Sequence, residues 1–158
     1  MIKIKICGIT NITDAMIAVS YGADALGFIF YEKSPRFISV ETAREIIAEL
    51  PPFVKTVGVF VNETADRVNE IADTCKLDIV QLHGEETPEF CKEIKRRIVK
   101  AFRIKDEKSL LPMSSYKVDG YLLDAFVADL HGGSGEICDW NLVRRAEEHG
   151  PIILAGGL

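Results

Sequence analysis

Four side chains that could do chemistry lie at or just beyond the ends of short apolar runs: the thiol of Cys7, the guanidinium of Arg36, the imidazole of His83 and the carboxyl of Asp124. A thiolate can accept a proton, a carboxyl group can donate one, and a guanidinium can bind a carboxylate. Each also has a structural interpretation. Cys7 could be a small core residue and Arg36 a surface residue, while His83 could be a hydrogen-bonded structural histidine and Asp124 a cap of the following turn. Burying a charged carboxyl group at the end of an apolar strand costs free energy, and this cost favours a chemical role for Asp124.

Two glycine-rich segments could bring backbone N–H groups close to a ligand. Gly133 and Gly135 lie in the first, residues 131–135, and are candidate substrate contacts, although a flexible loop without a ligand would have the same composition. Gly156 and Gly157 follow the last apolar run and are candidate phosphate contacts.

Short apolar runs alternate with amphipathic segments along the whole chain. The runs predict strands at 3–7, 25–30, 56–61, 79–82, 98–102, 120–124 and 152–155. The amphipathic segments predict helices at 12–21, 40–50, 65–75, 88–96, 106–113 and 140–149. Five residues with capping side chains precede these helices and predict where they begin: Asn11, Ser39, Thr64, Thr87 and Asp139.

Strict alternation of strands and helices predicts an α/β fold with a parallel sheet. Two architectures fit: an open doubly wound sheet and a closed (β/α)₈ TIM barrel. Residues 7–11 after the first strand lack the G-x-G-x-x-G pattern of the open nucleotide-binding sheet. The spacing of the strands is that of a barrel, in which active sites lie at the carboxyl ends of the strands. We therefore expect a single barrel domain over residues 1–158, incomplete because it has seven strands and lacks the eighth strand and the last helices.

Composition narrows the range of partners. The 24 acidic and 19 basic residues give a net charge of −5, which argues against nucleic acid or an acidic membrane as the main partner. The chain has no apolar run long enough to span a membrane and begins with no signal-peptide pattern, so we expect a cytoplasmic protein. The cysteines at 7, 75, 91 and 138 have no metal-binding spacing with the three histidines, so no metal site is expected, and the last three are interpreted as structural.

Eight motifs together closely resemble phosphoribosylanthranilate isomerases, in order and over the whole chain. They are K-I-C-G-I-T at 5–10, G-A-D at 22–24 with G-F-I-F at 27–30, S-P-R at 34–36, V-G-V-F-V-N at 57–62, Q-L-H-G at 81–84, L-L-D at 122–124, G-G-S-G at 132–135 with D-W at 139–140, and A-G-G-L at 155–158. The combination of the first motif with Q-L-H-G and G-G-S-G is highly specific.

The resemblance implies a (β/α)₈ barrel of tryptophan biosynthesis. It implies an Amadori rearrangement of N-(5-phosphoribosyl)anthranilate to 1-(2-carboxyphenylamino)-1-deoxyribulose 5-phosphate, without metal or organic cofactor. It also implies that Cys7 is the general base, Asp124 the general acid, Arg36 the ligand of the substrate carboxylate and His83 a polar residue near the substrate. Gly156 and Gly157 match half of the family's phosphate site.

Family members continue through an eighth strand and further helices, which predicts either that this chain is a fragment or that part of the protein is left out of the sequence, and in both cases that its activity alone is reduced. Two alternatives stay open at this point. One is a non-catalytic barrel fragment that self-associates through open strand edges. The other is a different phosphosugar barrel such as an epimerase, against which the thiol of Cys7 counts.

Overall fold

A computed structural model describes residues 2–125 and 140–156, and its parallel strands and helices fall into two compact units, Met1–Ile98 and Val99–Leu158. The strands within the described residues are β1 (Lys5–Cys7), β2 (Ala25–Ile29), β3 (Lys55–Phe60), β4 (Ile79–Leu82), β5 (Arg97–Ile104), β6 (Gly120–Ala125) and β7 (Ile152–Ala155). The helices are α1 (Ile12–Ser20), α2 (Val40–Ala48), α3 (Ala65–Thr74), α4 (Pro88–Cys91) and α5 (Trp140–Ala146), with 3₁₀ helices at Glu107–Ser115 and Glu147–His149. The single domain expected over residues 1–158 stays a prediction.

In the first unit, β1, β2, β3 and β4 form a parallel sheet in that order. Because side chains alternate across a strand, the register places two different sets of residues on the two faces. One face holds fully buried apolar side chains, which form the core: Leu26, Phe28, Phe60, Val80 and Leu82. The other face holds the sulfur of Cys7 and the polar side chains of Lys5 and Gln81.

The first four predicted helix starts are confirmed. The side chains of Asn11, Ser39, Thr64 and Thr87 each accept a hydrogen bond from a backbone N–H three residues later. These bonds satisfy donors that the first helical turn leaves without an intrahelical partner, so polar residues at these positions determine where the helices begin. Asp139, the fifth predicted cap, lies outside the described residues.

The prediction of a helix over 88–96 is wrong in length, since α4 ends at Cys91. Beyond that point the backbone forms only turns that span three residues, up to the N–H of Ile94, and the side chain of Asn69 on α3 binds the chain there. Its amide donates to the carbonyl of Glu93 over 2.9 Å, and its oxygen accepts from the N–H of Lys95 over 2.9 Å. A contact with α3 therefore turns the chain out of the helix and towards β5.

Two aspartates join the amino-terminal ends of neighbouring strands in the same way. Asp24, before β2, accepts from the ammonium of Lys3 and the N–H of Ile4. Asp78, before β4, accepts from the ammonium of Lys55 and the N–H and hydroxyl of Thr56. Burial raises the pKa of Asp78, but these hydrogen bonds outweigh that effect and hold it below its usual value.

The second unit contains β5 from Val99 onward, β6 and β7 as parallel neighbours. One face of these strands packs on the 3₁₀ helix and on α5, through a cluster that includes Leu110, Met113, Tyr121, Leu123 and Leu142. The helix predicted at 106–113 is this 3₁₀ helix, which begins with reciprocal hydrogen bonds between Asp106 and Ser109. Strand β5 is longer than predicted and includes Arg103, which the sequence pattern placed beyond its end.

Among the described residues, no helix has both the length and the apolar character that a membrane span requires.

Candidate functional site

Cys7 is the last residue of β1 and lies in register with Gly27 of β2. A Cβ atom on Gly27 would come within 2.7 Å of the Cys7 sulfur, so a glycine at this position is what allows the thiol to lie against the β2 backbone. The half-buried side chain of Cys7 is therefore held at the carboxyl end of its strand, as the sequence predicts.

Arg36 lies beside Cys7, although 29 positions separate them in the chain. Its guanidinium donates to the Cys7 carbonyl over 3.1 Å. Gly8, with φ of +90°, makes this possible because a Cβ atom there would lie 2.6 Å from the Arg36 Cδ atom. The guanidinium has further N–H donors, so a cation able to bind an anion is hydrogen-bonded to the backbone of the residue that carries the thiol.

A chain of polar side chains crosses the same face of the first unit. The Lys5 ammonium donates to the Gln81 side-chain oxygen over 2.7 Å, and the Gln81 amide nitrogen lies 2.9 Å from Nδ1 of His83. Gln81 is only 2% exposed, so both contacts of its amide are made away from bulk water. His83 is thereby connected to the strand that carries Cys7.

The loop after β4 is fastened to the loop after β3 by a buried carboxylate. Glu86 is 5% exposed, and its oxygens accept from the N–H of Asn62 over 2.9 Å and from the N–H of Gly84 over 3.0 Å. Asn62 adopts a positive φ of 52°, and its side-chain oxygen accepts from the N–H of Glu85 over 2.7 Å. These bonds hold the loop after β4, which carries His83, against the loop after β3.

In the second unit, Asp124 is the penultimate residue of β6, in register with Arg103 of β5 and Ala155 of β7. The sequence pattern ended β6 at Asp124; the strand continues to Ala125. Arg103 is exposed, Asp124 is half-buried, and Gly156 follows Ala155 with φ of +77°. An acid, a cation and a glycine with left-handed backbone thus lie side by side at the carboxyl ends of three neighbouring strands.

The structure places Cys7, Arg36 and His83 in the first unit, and Asp124 and Gly156 in the second. Gly133, Gly135 and Gly157 lie outside the described residues. Sequence reasoning missed Lys5 and Gln81 as parts of the site. A signal was present, because each lies two positions before a predicted site residue and so faces the same side of its strand.

The remaining described cysteines are buried. Cys75 and Cys91 are 1% and 6% exposed, and burial raises the pKa of the Cys75 thiol. Because the thiolate of Cys75 is disfavoured, this side chain is suited to packing in the core and not to reaction. Within residues 2–125 and 140–156, no group of three or more His, Cys, Asp or Glu side chains is arranged to hold a metal ion.

Comparison with known proteins decides the family. A family model described as N-(5'phosphoribosyl)anthranilate (PRA) isomerase matches residues 4–158. The chain belongs to this family. The N-(5'-phosphoribosyl)anthranilate isomerases of Pelobacter propionicus and Citrifermentans bemidjiense are 56% and 57% identical to it over 158 residues, which are 100% of the chain and 76% and 77% of those relatives.

Solved structures of phosphoribosylanthranilate isomerases share the fold. The Thermotoga maritima enzyme superimposes with a TM-score of 0.89 at 43% identity, over 100% of this chain and 78% of that one. A second structure, in complex with reduced 1-(o-carboxyphenylamino)-1-deoxyribulose 5-phosphate, has a TM-score of 0.85 at 41% identity, over 100% of this chain and 77% of that one. A third, of monomers generated from the dimeric Thermotoga maritima enzyme, has a TM-score of 0.86 at 40% identity over 100% and 77%.

These findings confirm the predicted family, its α/β barrel fold and its activity. The chain is an isomerase of tryptophan biosynthesis, which converts N-(5'-phosphoribosyl)anthranilate to its 1-deoxyribulose isomer. The phosphosugar epimerase is thereby excluded as an alternative.

Proposed function

We propose that this chain carries out the rearrangement with Cys7 as the general base and Asp124 as the general acid. The observation that carries the proposal is the position of the Cys7 thiol, which ends β1 against Gly27 with the Arg36 guanidinium on its carbonyl. The form of the Cys7 side chain that accepts a proton is the thiolate. In the second unit, Asp124 lies at the carboxyl end of β6, where barrel enzymes carry reactive groups.

The reaction consists of proton transfers within one sugar. Protonated Asp124 gives its proton to the ribose ring oxygen, the ring C–O bond breaks, and the anthranilate nitrogen's lone pair forms an iminium. The Cys7 thiolate then removes the proton from C2′, and the C–H electron pair forms the C1′–C2′ double bond as the iminium becomes an amine. The resulting enolamine loses its hydroxyl proton and gains one at C1′, which gives the ketone. No electrons leave the substrate, so the chemistry needs no redox cofactor.

Arg36 and the glycines bind the two anionic ends of the substrate. We assign the anthranilate carboxylate to Arg36, because a guanidinium can hold both carboxylate oxygens through parallel N–H bonds. Gly156 and Gly157 would bind the phosphate through backbone N–H groups, and the positive φ of Gly156 supports this role. Gly133 and Gly135 would contact the substrate, and His83 would contribute a hydrogen bond to it.

Kinetics on paired variants test the two central roles. Cys7→Ala and Asp124→Asn should each lower kcat about 100-fold or more, the usual contribution of a general acid or base. Cys91→Ala and Asp119→Asn are matched controls, since Cys91 is a buried thiol on α4 and Asp119 is exposed at the opposite end of β6. Turnover of either first-named variant within a few-fold of the unaltered chain would remove that residue from its role.

We further propose that the chain self-associates and works in the cytoplasm. Exposed apolar side chains on the β1 segment and α1 support association; they are between 40% and 89% exposed and are Ile2, Ile4, Ile6, Ile12, Met16 and Ile17. A dimeric relative, that of Thermotoga maritima, adds support. Sedimentation velocity tests the association. The double variant Ile4→Lys, Ile17→Lys should be monomeric at concentrations at which the unaltered chain associates. The control is Leu111→Lys, which changes an exposed residue of the second unit and should leave the association unchanged. A monomer for the unaltered chain at all concentrations would contradict the proposal.

A further inference from the structure

The orientation of the buried Gln81 amide follows from its contact with Lys5. An ammonium group can only donate hydrogen bonds, so the amide atom 2.7 Å from the Lys5 nitrogen must be the carbonyl oxygen. The other end of the amide is then the NH₂ group, which can only donate. It lies 2.9 Å from Nδ1 of His83.

This orientation determines the state of the imidazole. Since the Gln81 amide donates to Nδ1, that nitrogen must accept and cannot carry a hydrogen. Neutral imidazole has one hydrogen on its two nitrogens, so it is on Nε2. The imidazolium, with hydrogens on both nitrogens, would set Nδ1–H against the NH₂ group and would lose the bond to a side chain that is 2% exposed.

We propose that Lys5 and Gln81 are positioning residues that hold His83 as the neutral Nε2–H tautomer, so that the histidine enters the reaction as a hydrogen-bond donor and not as a base. The second half of this statement rests on the proposed function; the tautomer itself does not. The Lys5 charge also polarises the amide, because it binds the oxygen while the nitrogen donates, and hydrogen bonds in such a chain strengthen one another. A histidine held in this state does not compete with Cys7 for the substrate proton that the general base removes.

Nitrogen-15 spectra of the histidine rings test the tautomer without substrate. The chain has three histidines, and the His83 signals are those that disappear in His83→Gln. We expect Nδ1 at the shift of an unprotonated ring nitrogen and Nε2 at that of a protonated one. The reverse assignment, or an imidazolium at neutral pH, would overturn the proposal.

Variants at positions 81 and 5 test whether the contact between Gln81 and Lys5 determines the tautomer of His83. Gln81→Glu has the same shape and can still pair with Lys5, but its carboxylate accepts, so Nδ1 should become protonated. Lys5→Met should release the amide and give a mixture of tautomers, whereas Lys3→Met, which removes an ammonium that is 71% exposed, should leave the His83 signals unchanged. If Gln81→Glu fails to fold, Gln81→Met, which removes the donor and keeps the volume, should also give a mixture. Unchanged His83 signals in every folded variant at positions 5 and 81 would overturn the proposal.

The kinetic consequence is measured separately. Where Gln81→Glu gives the neutral Nδ1–H tautomer, Nε2 loses its hydrogen, and kcat/KM should fall about tenfold or more because a hydrogen bond to the transition state is lost. Where it gives the imidazolium, which keeps Nε2–H, kcat/KM should stay within a few-fold of the unaltered chain. An unprotonated Nε2 with unchanged kcat/KM, or an imidazolium with a tenfold loss, would refute the role in the reaction. If the proposed function is wrong, the Cys7 and Asp124 variants will instead keep full activity. The ring spectra of His83 do not depend on that result, so the two failures can be told apart.

Discussion

Replacement of the buried carboxylate of Glu86 should be among the most destabilising single changes in the first unit. Its two oxygens accept from the N–H groups of Asn62 and Gly84 at 2.9 and 3.0 Å, and the side chain is 5% exposed. Hydrogen bonds to a charged group are worth about 1.5–3 kcal/mol each. Glu86→Gln keeps one oxygen but sets an NH₂ group against a backbone donor, so we expect a loss of about 2–4 kcal/mol.

That loss is large against the total stability of a domain, which is about 5–15 kcal/mol. Urea unfolding followed by circular dichroism measures it. Glu85→Gln is the matched control, because this neighbour is exposed and takes part in the network through its backbone N–H, which the substitution keeps. The control should change the free energy of unfolding by less than about 0.5 kcal/mol. Equal stabilities of the two variants would refute the reasoning that the Glu86 carboxylate fastens the two loops together.

Four further predictions concern the substrate, the thiol, acid stability and domain structure. Arg36→Lys should weaken binding of an anthranilate-bearing product analogue about tenfold more than binding of ribose 5-phosphate in calorimetry, because Lys cannot form the two-pronged carboxylate contact; equal losses would contradict this. Gly27→Ala should lower kcat at least tenfold by displacing the Cys7 sulfur, which a new Cβ would approach to 2.7 Å, and a normal rate would show that the sulfur can move without cost. Hydrogen bonds hold the pKa of Asp78 below its usual value, so its carboxylate stabilises the fold fully above the unfolded pKa of about 4 and loses this effect as the pH falls through the folded pKa; Asp78→Asn should therefore cost more stability at pH 7 than at pH 3 in urea unfolding, and equal losses would contradict this. If residues 1–158 are one domain, the fluorescence of Trp140, the one tryptophan, should change at the same urea concentration as the circular dichroism, and separated midpoints would indicate two domains.

Local patterns in the sequence were sufficient for the order of the elements and for most of their starting points. The start of a helix depends on one capping side chain and its nearest neighbours, so Asn11, Ser39, Thr64 and Thr87 could be recognised without knowledge of the rest of the chain. The ends of parallel strands point to one edge of a sheet, so Cys7 could be placed at a carboxyl end from its position in an apolar run.

Features that depend on partners distant in the chain were not predictable in this way. Helix α4 ends early because Asn69 binds the backbone at 93–95, more than 20 positions away, and no pattern within 88–96 reveals this. The role of Gln81 likewise depends on Lys5, 76 positions away, which the parallel strands bring within 2.7 Å. Sequence alone identified which groups could react. The tertiary structure decided which atoms of Gln81 and His83 donate and which accept, because the direction of a hydrogen bond is determined by the donor or acceptor opposite it, and that partner is chosen by the fold.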